Sequence, residues 1–211
     1  MAYADACVHP CPAGDTSLPR MALEARELGF ATIVSTGGSG EFFGVRAVQG
    51  VVIGARTFKD VVKAVRRAPE AALVAVCAGD ESFTRSAVSL GGVHVLKGVH
   101  QGPKNAFDHV AARTAGERGV AVEIDLAPIV ALRGRDRQRV LACYADILFL
   151  HRRYGFPLCI ASNARSVLDQ RSVRDAVGLC SLFGMDGDEA GAALSSVEGL
   201  LDRPETVRVV A

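Results

Sequence analysis

No stretch of the sequence approaches the ~18 consecutive apolar residues of a membrane span. Met1 to Pro12 holds no basic segment followed by an apolar run, so neither a spanning helix nor a secretory signal is expected. Six cysteines, at 7, 11, 77, 143, 159 and 180, include no C-x-x-C pair, which favours a reducing cytoplasm over a disulfide framework. Histidines are dispersed, with neither H-x-H nor H-E-x-x-H, so the usual signatures of a metal-dependent hydrolase are missing. There is no G-x-S-x-G and no Cys–His–Asn pattern for nucleophilic catalysis. Lysine is scarce, with four residues against 20 arginines. A GC-rich coding sequence gives such a bias, and arginine forks also suit phosphate and carboxylate recognition. Charge of either sign is not in excess: 24 basic residues meet 23 acidic ones, a net +1. Taken as a whole, that balance disfavours a nucleic-acid binder.

What is present is a core. The chain has 211 residues, 49% of them hydrophobic, and no linker, repeat or low-complexity tract divides it, so one domain over residues 1–211 is expected. Short apolar runs recur at Tyr3–Val8, Ala31–Ser35, Gly50–Ala55, Ala72–Ala78, Val93–Leu96, Val120–Ile124 and Pro157–Ala161, with an eighth candidate at Thr206–Val210. Their lack of polar alternation is that of strands buried on both faces. Between them lie helical segments at Ser17–Leu28, at Phe58–Arg67, from Asp108 to a stop at Gly119, and along Asp136–Tyr154. Three capped helices follow, begun by Ser172, by Asp186 with Glu189, and by Ser195 with Glu198. The alternation predicts a parallel α/β protein, a compact or imperfect TIM-like (β/α) barrel, with a doubly wound sheet as the other solution.

In such folds function collects at the carboxyl ends of the strands. Those positions hold Thr36-Gly37-Gly38-Ser39-Gly40, Arg56, Lys97, Asp125 and Ser162-Asn163-Ala164-Arg165. The glycine loop spells neither a Walker loop nor a dinucleotide fingerprint, so it reads as a phosphate cradle or simply a flexible turn. Together the set suits an anion better than acid–base catalysis. Cys7, His9 and Cys11 would share a strand face as metal ligands, but Pro10 interrupts the strand and a fourth ligand is missing. Glu123 and Asp125, two residues apart, would form a carboxylate pair on one face. No catalytic set emerges.

Phe107-Asp108-His109-Val110-Ala111-Ala112-Arg113, then Glu117-Arg118-Gly119-Val120-Ala121-Val122-Glu123-Ile124-Asp125-Leu126 and Leu126-Ala127-Pro128-Ile129, are followed by Pro157-Leu158-Cys159-Ile160-Ala161-Ser162-Asn163-Ala164, Arg171-Ser172-Val173-Arg174-Asp175-Ala176-Val177 and Leu182-Phe183-Gly184-Met185. In this order and spacing, the motifs resemble the protein component 3 family of ribonuclease P, found in archaea and eukaryotes. The likeness covers about Asn105 to Leu201. It departs at Ala161 and Asn163, where the family commonly has Ser and Gly, and at Val173, where Pro is common. The resemblance implies a TIM-barrel-like subunit of the ribonucleoprotein that removes 5′ leaders from precursor tRNA. It implies a catalytic centre in the RNA, metal ions belonging to that RNA, no cofactor on the protein, and component 2 as the protein partner. Under it, Lys97, Arg113, Arg165, Arg171 and Arg174 are expected to touch phosphate or sugar. Asp108 reads as a helix cap and His109 as a packed or hydrogen-bonded helix residue. For Arg171 and Arg174 the plain alternative is pairing with Asp169 and Asp175. The alternatives for the whole chain are a phosphate-binding barrel enzyme, a metal-dependent phosphoesterase of the histidinol-phosphatase kind, and a structural binder of component 2.

The neutral total also hides a division. From Arg133 to Arg174 nine arginines face three acids, whereas from Asp175 to Thr206 seven acids face one arginine. Such opposed blocks suit one side toward RNA and another toward a basic partner.

Overall fold

The computed structural model describes residues 2–54 and 57–202; Arg56 and the Thr206–Val210 candidate strand lie outside them. Seven parallel strands follow one another around a nearly closed barrel: β1 (Ala4–Val8), β2 (Thr32–Ser35), β4 (Val45–Ile53), β5 (Leu73–Cys77), β6 (Val95–Lys97), β7 (Ala121–Asp125) and β8 (Leu158–Ala161). The short β3 (Gly40–Phe42) is antiparallel to the start of β4. Helices α1 (Leu18–Glu27), α2 (Phe58–Arg67), α3 (Glu81–Ser89), α4 (His109–Arg118), α5 (Leu126–Ala131), α6 (Gly134–Tyr154), α7 (Val173–Ser181), α8 (Gly187–Leu194) and α9 (Ser196–Leu201) complete the described elements, with single 3₁₀ turns at Val99–Gln101 and Val167–Asp169. Each of the seven expected apolar runs contributes to a barrel strand.

Strand alternation divides the core in two. Ile33, Val74, Val76, Leu96, Val122, Ile124, Leu158 and Ile160 point outward against Met21, Val61, Ala111, Tyr144 and Ile147 of the helices. Inward, Ala4, Ala6, Val34, Ala75, Val95, Ala121, Cys159 and Ala161 form a second cluster. The interior favours small side chains because a seven-stranded barrel is narrow. Val197 and Leu200 of α9 join that cluster and close its amino-terminal end. Glu198 pins α9 there, accepting from Thr32 Oγ1 at 3.2 Å and Arg46 Nη1 at 2.8 Å. This corrects the expected Ser195–Glu198 cap: Ser195 makes no side-chain cap bond, and its Oγ is buried without a partner. The other caps form as read. Asp108 accepts from Ala111 N, Gly119 ends α4 in the left-handed conformation, Ser172 caps α7, and Asp186 with Glu189 makes a capping box on α8.

The seam between β1 and β8 is held by loops rather than a ladder. Val8 and Ala164 form one parallel bridge. His9 N donates to Ala164 O at 2.7 Å and Asn163 N to Cys7 O at 3.0 Å. The Asp5 carboxylate fills a gap in the pairing, its Oδ1 accepting from Ser162 N at 2.9 Å and Cys7 N at 3.2 Å. Outside the seam, Asp15 N donates to Arg165 O, and Gly14 lies so close that a Cβ there would run into the carbonyls of His9 and Arg165. Gly14→Ala is therefore expected to cost about 1–3 kcal/mol of stability as an overpacked contact, read as a lowered urea midpoint with unchanged slope.

Candidate functional site

Residues at the carboxyl ends of β1, β6, β7 and β8 converge inside the barrel mouth. Alternation places Lys97 inward two residues after Val95, and Glu123 and Asp125 inward after Ala121. Lys97 Nζ donates to both Glu123 oxygens at 2.8 Å and also to Asn163 Oδ1. The Lys97 side chain is 12% exposed and that of Glu123 2%. Burial, the largest single influence, would lower the lysine's pKa, but the Glu123 carboxylate and the other acidic groups around it, Asp125 among them, together outweigh it and hold the ammonium charged. Asn163 completes the network, its Nδ2 donating to Glu123 Oε1 at 2.9 Å. Its backbone stands at φ +50°, a left-handed conformation that Asn tolerates better than most side chains.

His9 lies over this network. Asn163 Oδ1 only accepts, so His9 Nε2, 3.4 Å away, carries the hydrogen, and His9 Nδ1 accepts from Thr36 Oγ1 at 3.1 Å. Burial, and then Lys97, lower the His9 pKa and keep the ring neutral. On the opposite side Tyr144 O–H donates to Asp125 O at 3.0 Å and lies 3.0 Å from His100 Nδ1. Asp5 and Asp125 are each pushed up to about 6, chiefly by burial and further by the charge of Glu123.

This arrangement differs from the expected anion-binding rim. The Lys97 ammonium is already paired with Glu123, with the Asp125 charge also acting on it, so Lys97 is an internal counter-ion rather than a surface phosphate contact. The glycine loop is no cradle either. Gly37 N donates to Ser35 Oγ at 3.0 Å, Pro10 packs over Gly37, and Gly40 already begins β3. Cys7, His9 and Asn163, distant in sequence, do meet, with Cys7 Sγ 3.6 Å from His9 Nε2. A nucleophilic triad needs the base to use its two ring nitrogens for different partners, whereas here one nitrogen faces both. Burial also pushes the Cys7 thiol up to about 12, which leaves no thiolate. Cys11 turns away to Gly14 O, and among the described residues no three of His, Cys, Asp or Glu converge as metal ligands.

The predicted arginines lie outside the barrel. Arg113 and Arg174 are exposed on α4 and α7. Arg165 is exposed beyond β8, with Nη1 donating to Ala13 O at 2.8 Å. Arg171 Nη1 donates to Leu168 O and Gln170 O at 2.9 and 2.7 Å. None of the four pairs with a carboxylate side chain among the described residues, because Asp169 accepts from Arg165 N and Ser166 N while Asp175 bonds Ser172. The alternative of local ion pairing for Arg171 and Arg174 is thereby corrected. Asp108, besides capping α4, binds Arg85 at 2.5 Å, which holds its pKa down at about 2. His109 is largely exposed rather than packed.

The chain matches the family described as RNase P subunit p30 over residues 2–208. It is 30% identical over 204 residues to ribonuclease P protein component 3 of Methanococcoides burtonii, covering 92% of this chain and 84% of that protein. Its fold is similar to a chain in the cryo-EM structure of archaeal ribonuclease P with mature tRNA, with a TM-score of 0.77 at 20% identity over 94% of this chain and 90% of that one. A second fold likeness, at TM-score 0.59 and 12% identity over 87% of this chain and 94% of the other, is to histidinol phosphate phosphatase from Lactococcus lactis. With sequence agreement across nearly its whole length and a barrel of the same shape, the chain belongs to the RNase P subunit p30 family.

Proposed function

We propose that the protein acts as a positioning subunit of ribonuclease P, the tRNA-processing endonuclease, with the bond-breaking centre and its metal ions in the RNA. The observation that carries this reading is family membership across residues 2–208. The mouth chemistry agrees with it: a lysine neutralised by its own carboxylate and a thiol kept protonated describe a scaffold rather than a hydrolytic site. The protein needs no cofactor of its own in this scheme. Component 2 is its protein partner, precursor tRNA its indirect one, and the cytoplasm its place, where six unbridged cysteines stay reduced.

Arg113, Arg165, Arg171 and Arg174 supply phosphate contacts that fix orientation without reading sequence. Lys97 is replaced in that role by its structural one. The test is reconstitution of the cognate ribonuclease P RNA with component 2, with and without this chain, followed by precursor-tRNA cleavage. Omitting the chain should change rate, metal requirement or assembly; no change in any of these overturns the reading. Removing Arg165, Arg171 and Arg174 together, as glutamines, should flatten the dependence of log affinity on log salt by about 2–3, since each neutralised phosphate contributes ~0.7–0.9. An unchanged slope moves the RNA contact elsewhere.

A further inference from the structure

The 21 residues of α6 extend about 30 Å at 1.5 Å per residue, and one face of the helix has no partner in the described structure. Val140, Tyr144, Ile147 and Leu148 turn inward. Arg135, Arg139, Ala142, Asp146, Phe149 and Arg153, spaced by three or four, line the opposite face, and all are exposed. Arg133 and Arg137, which also lie near the start of α6, have local work. They donate to the carbonyls of Val130 and Leu132 at the end of α5. Arg135 and Arg139 do not. Cations near a helix amino terminus oppose its dipole, and only Asp136 offsets them there. Five exposed arginines elsewhere, Arg20, Arg26, Arg46, Arg85 and Arg152, each hold a carboxylate, whereas Arg66, Arg67, Arg113, Arg118, Arg165 and Arg174 are exposed without one among the described residues. Arg135, Arg139 and Arg153 hold none, and Arg153 merely lies 5.5 Å from the Tyr154 ring centre. Amid them Phe149 is 64% exposed. Local electrostatics disfavour Arg135 and Arg139 at the helix amino terminus, and no internal contact explains them.

We infer that the outward face of α6 is a second RNA-contact surface: Arg135, Arg139 and Arg153 grip phosphates, and Phe149 stacks on an unpaired base between them. The inference rests on the reading of the chain as a ribonuclease P subunit and adds a site to it. An exposed helix cannot enter the deep, narrow major groove of A-form RNA, so the stripe lies along backbone where a duplex gives way to an unstacked base. Such bases are the usual partners of an aromatic ring flanked by arginine. One phenylalanine, with only Ala142 as an apolar neighbour on its stripe, is too small an apolar surface for a protein interface core, whereas the net charge, three arginines against Asp146, complements phosphate. Arg113, also exposed, lies on α4, which packs beside α6. Arg165 follows β8, so two basic regions flank different parts of the barrel.

The test uses the full chain and cognate ribonuclease P RNA in filter binding between 50 and 300 mM salt. The Arg135→Gln, Arg139→Gln, Arg153→Gln triple variant should bind at least about tenfold more weakly, with the log–log salt slope reduced by about 2. Phe149→Ala should weaken binding about fivefold or more with the slope unchanged, and Phe149→Trp should restore it. On the unaltered chain, RNA should protect these three arginines from phenylglyoxal, a readout independent of variant folding. Near-wild-type affinity and slope in the variants, lack of protection, or loss of component 2 binding with RNA binding intact overturns the α6 surface. If the unaltered chain itself neither binds the RNA nor affects cleavage, the functional reading fails instead. If it does both, and only the Arg165, Arg171 and Arg174 variants matter, the α6 inference fails alone.

Discussion

Lys97→Met is expected to destabilise the protein by about 3–5 kcal/mol, because removing one partner of a buried pair leaves an uncompensated buried charge. Glu123 is the charge left behind, 2% exposed, and near enough to Asp5 and Asp125 for its charge to act on both. Asn163 retains its bond from Nδ2 to Glu123 Oε1 but loses the lysine donor at Oδ1. The double variant Lys97→Met, Glu123→Leu should recover most of the loss, since replacing both members of a buried pair by apolar groups is often neutral or better. Urea unfolding of the two single variants and the double one measures the coupling. A single-variant loss below about 1 kcal/mol would mean that water or a proton reaches Glu123 without cost. The first local consequence should appear at the β1–β8 seam. Asn163 N is bonded to Cys7 O, and Ala164 O receives His9 N, so these amides should exchange with solvent faster well before global unfolding. Arg165 follows directly in sequence. The internal ion pair therefore fixes the loop that carries Arg165, the arginine proposed above to meet RNA phosphate.

Much of the architecture was legible because burial on both faces writes itself as uninterrupted apolar runs, and all seven became strands. Helix ends were equally legible where chemistry marks them, as at Asp108 with Gly119 and at Asp186 with Glu189. The β3–β4 hairpin was not, since its turn places Phe43 and Gly44 both at positive φ, where a short hairpin usually carries Asn and Gly. Helix α3 was missed because Ser82, Thr84, Ser86 and Ser89 dilute its apolar stripe, and α5 because six residues are too few to show a period. The mouth failed for a different reason. Position after a strand locates a residue near the rim, but inward or outward orientation decides its chemistry. Nothing local to Lys97 says that it meets Glu123, 26 residues on, or Asn163, 66 residues on. The opposed charge blocks were visible, but the segregation of Arg135, Arg139, Phe149 and Arg153 from the buried stripe required the helix itself.

The second large effect is a pH dependence set by Asp5. Its carboxyl is raised from 3.8 to about 6, mainly by burial, so the folded state keeps the proton over a range in which the unfolded chain has released it. The folded state then binds more protons than the unfolded one between these values, and stability falls as pH rises from below 4 through about 6. Asp5→Asn removes that titration while preserving the seam, because one amide oxygen can accept from both Ser162 N and Cys7 N as Oδ1 does now. The variant's stability relative to the unaltered protein should therefore climb by about 3 kcal/mol between pH 3.5 and pH 7.5, a shift of roughly two units at 1.36 kcal/mol each. Taking the difference between two proteins at each pH cancels the contributions of His9, His100, Asp108 and Glu189, which titrate in both. A flat difference between the two pH values would show that Asp5 ionises in the fold as readily as in the open chain. The seam would then be wetter than its buried hydrogen bonds require.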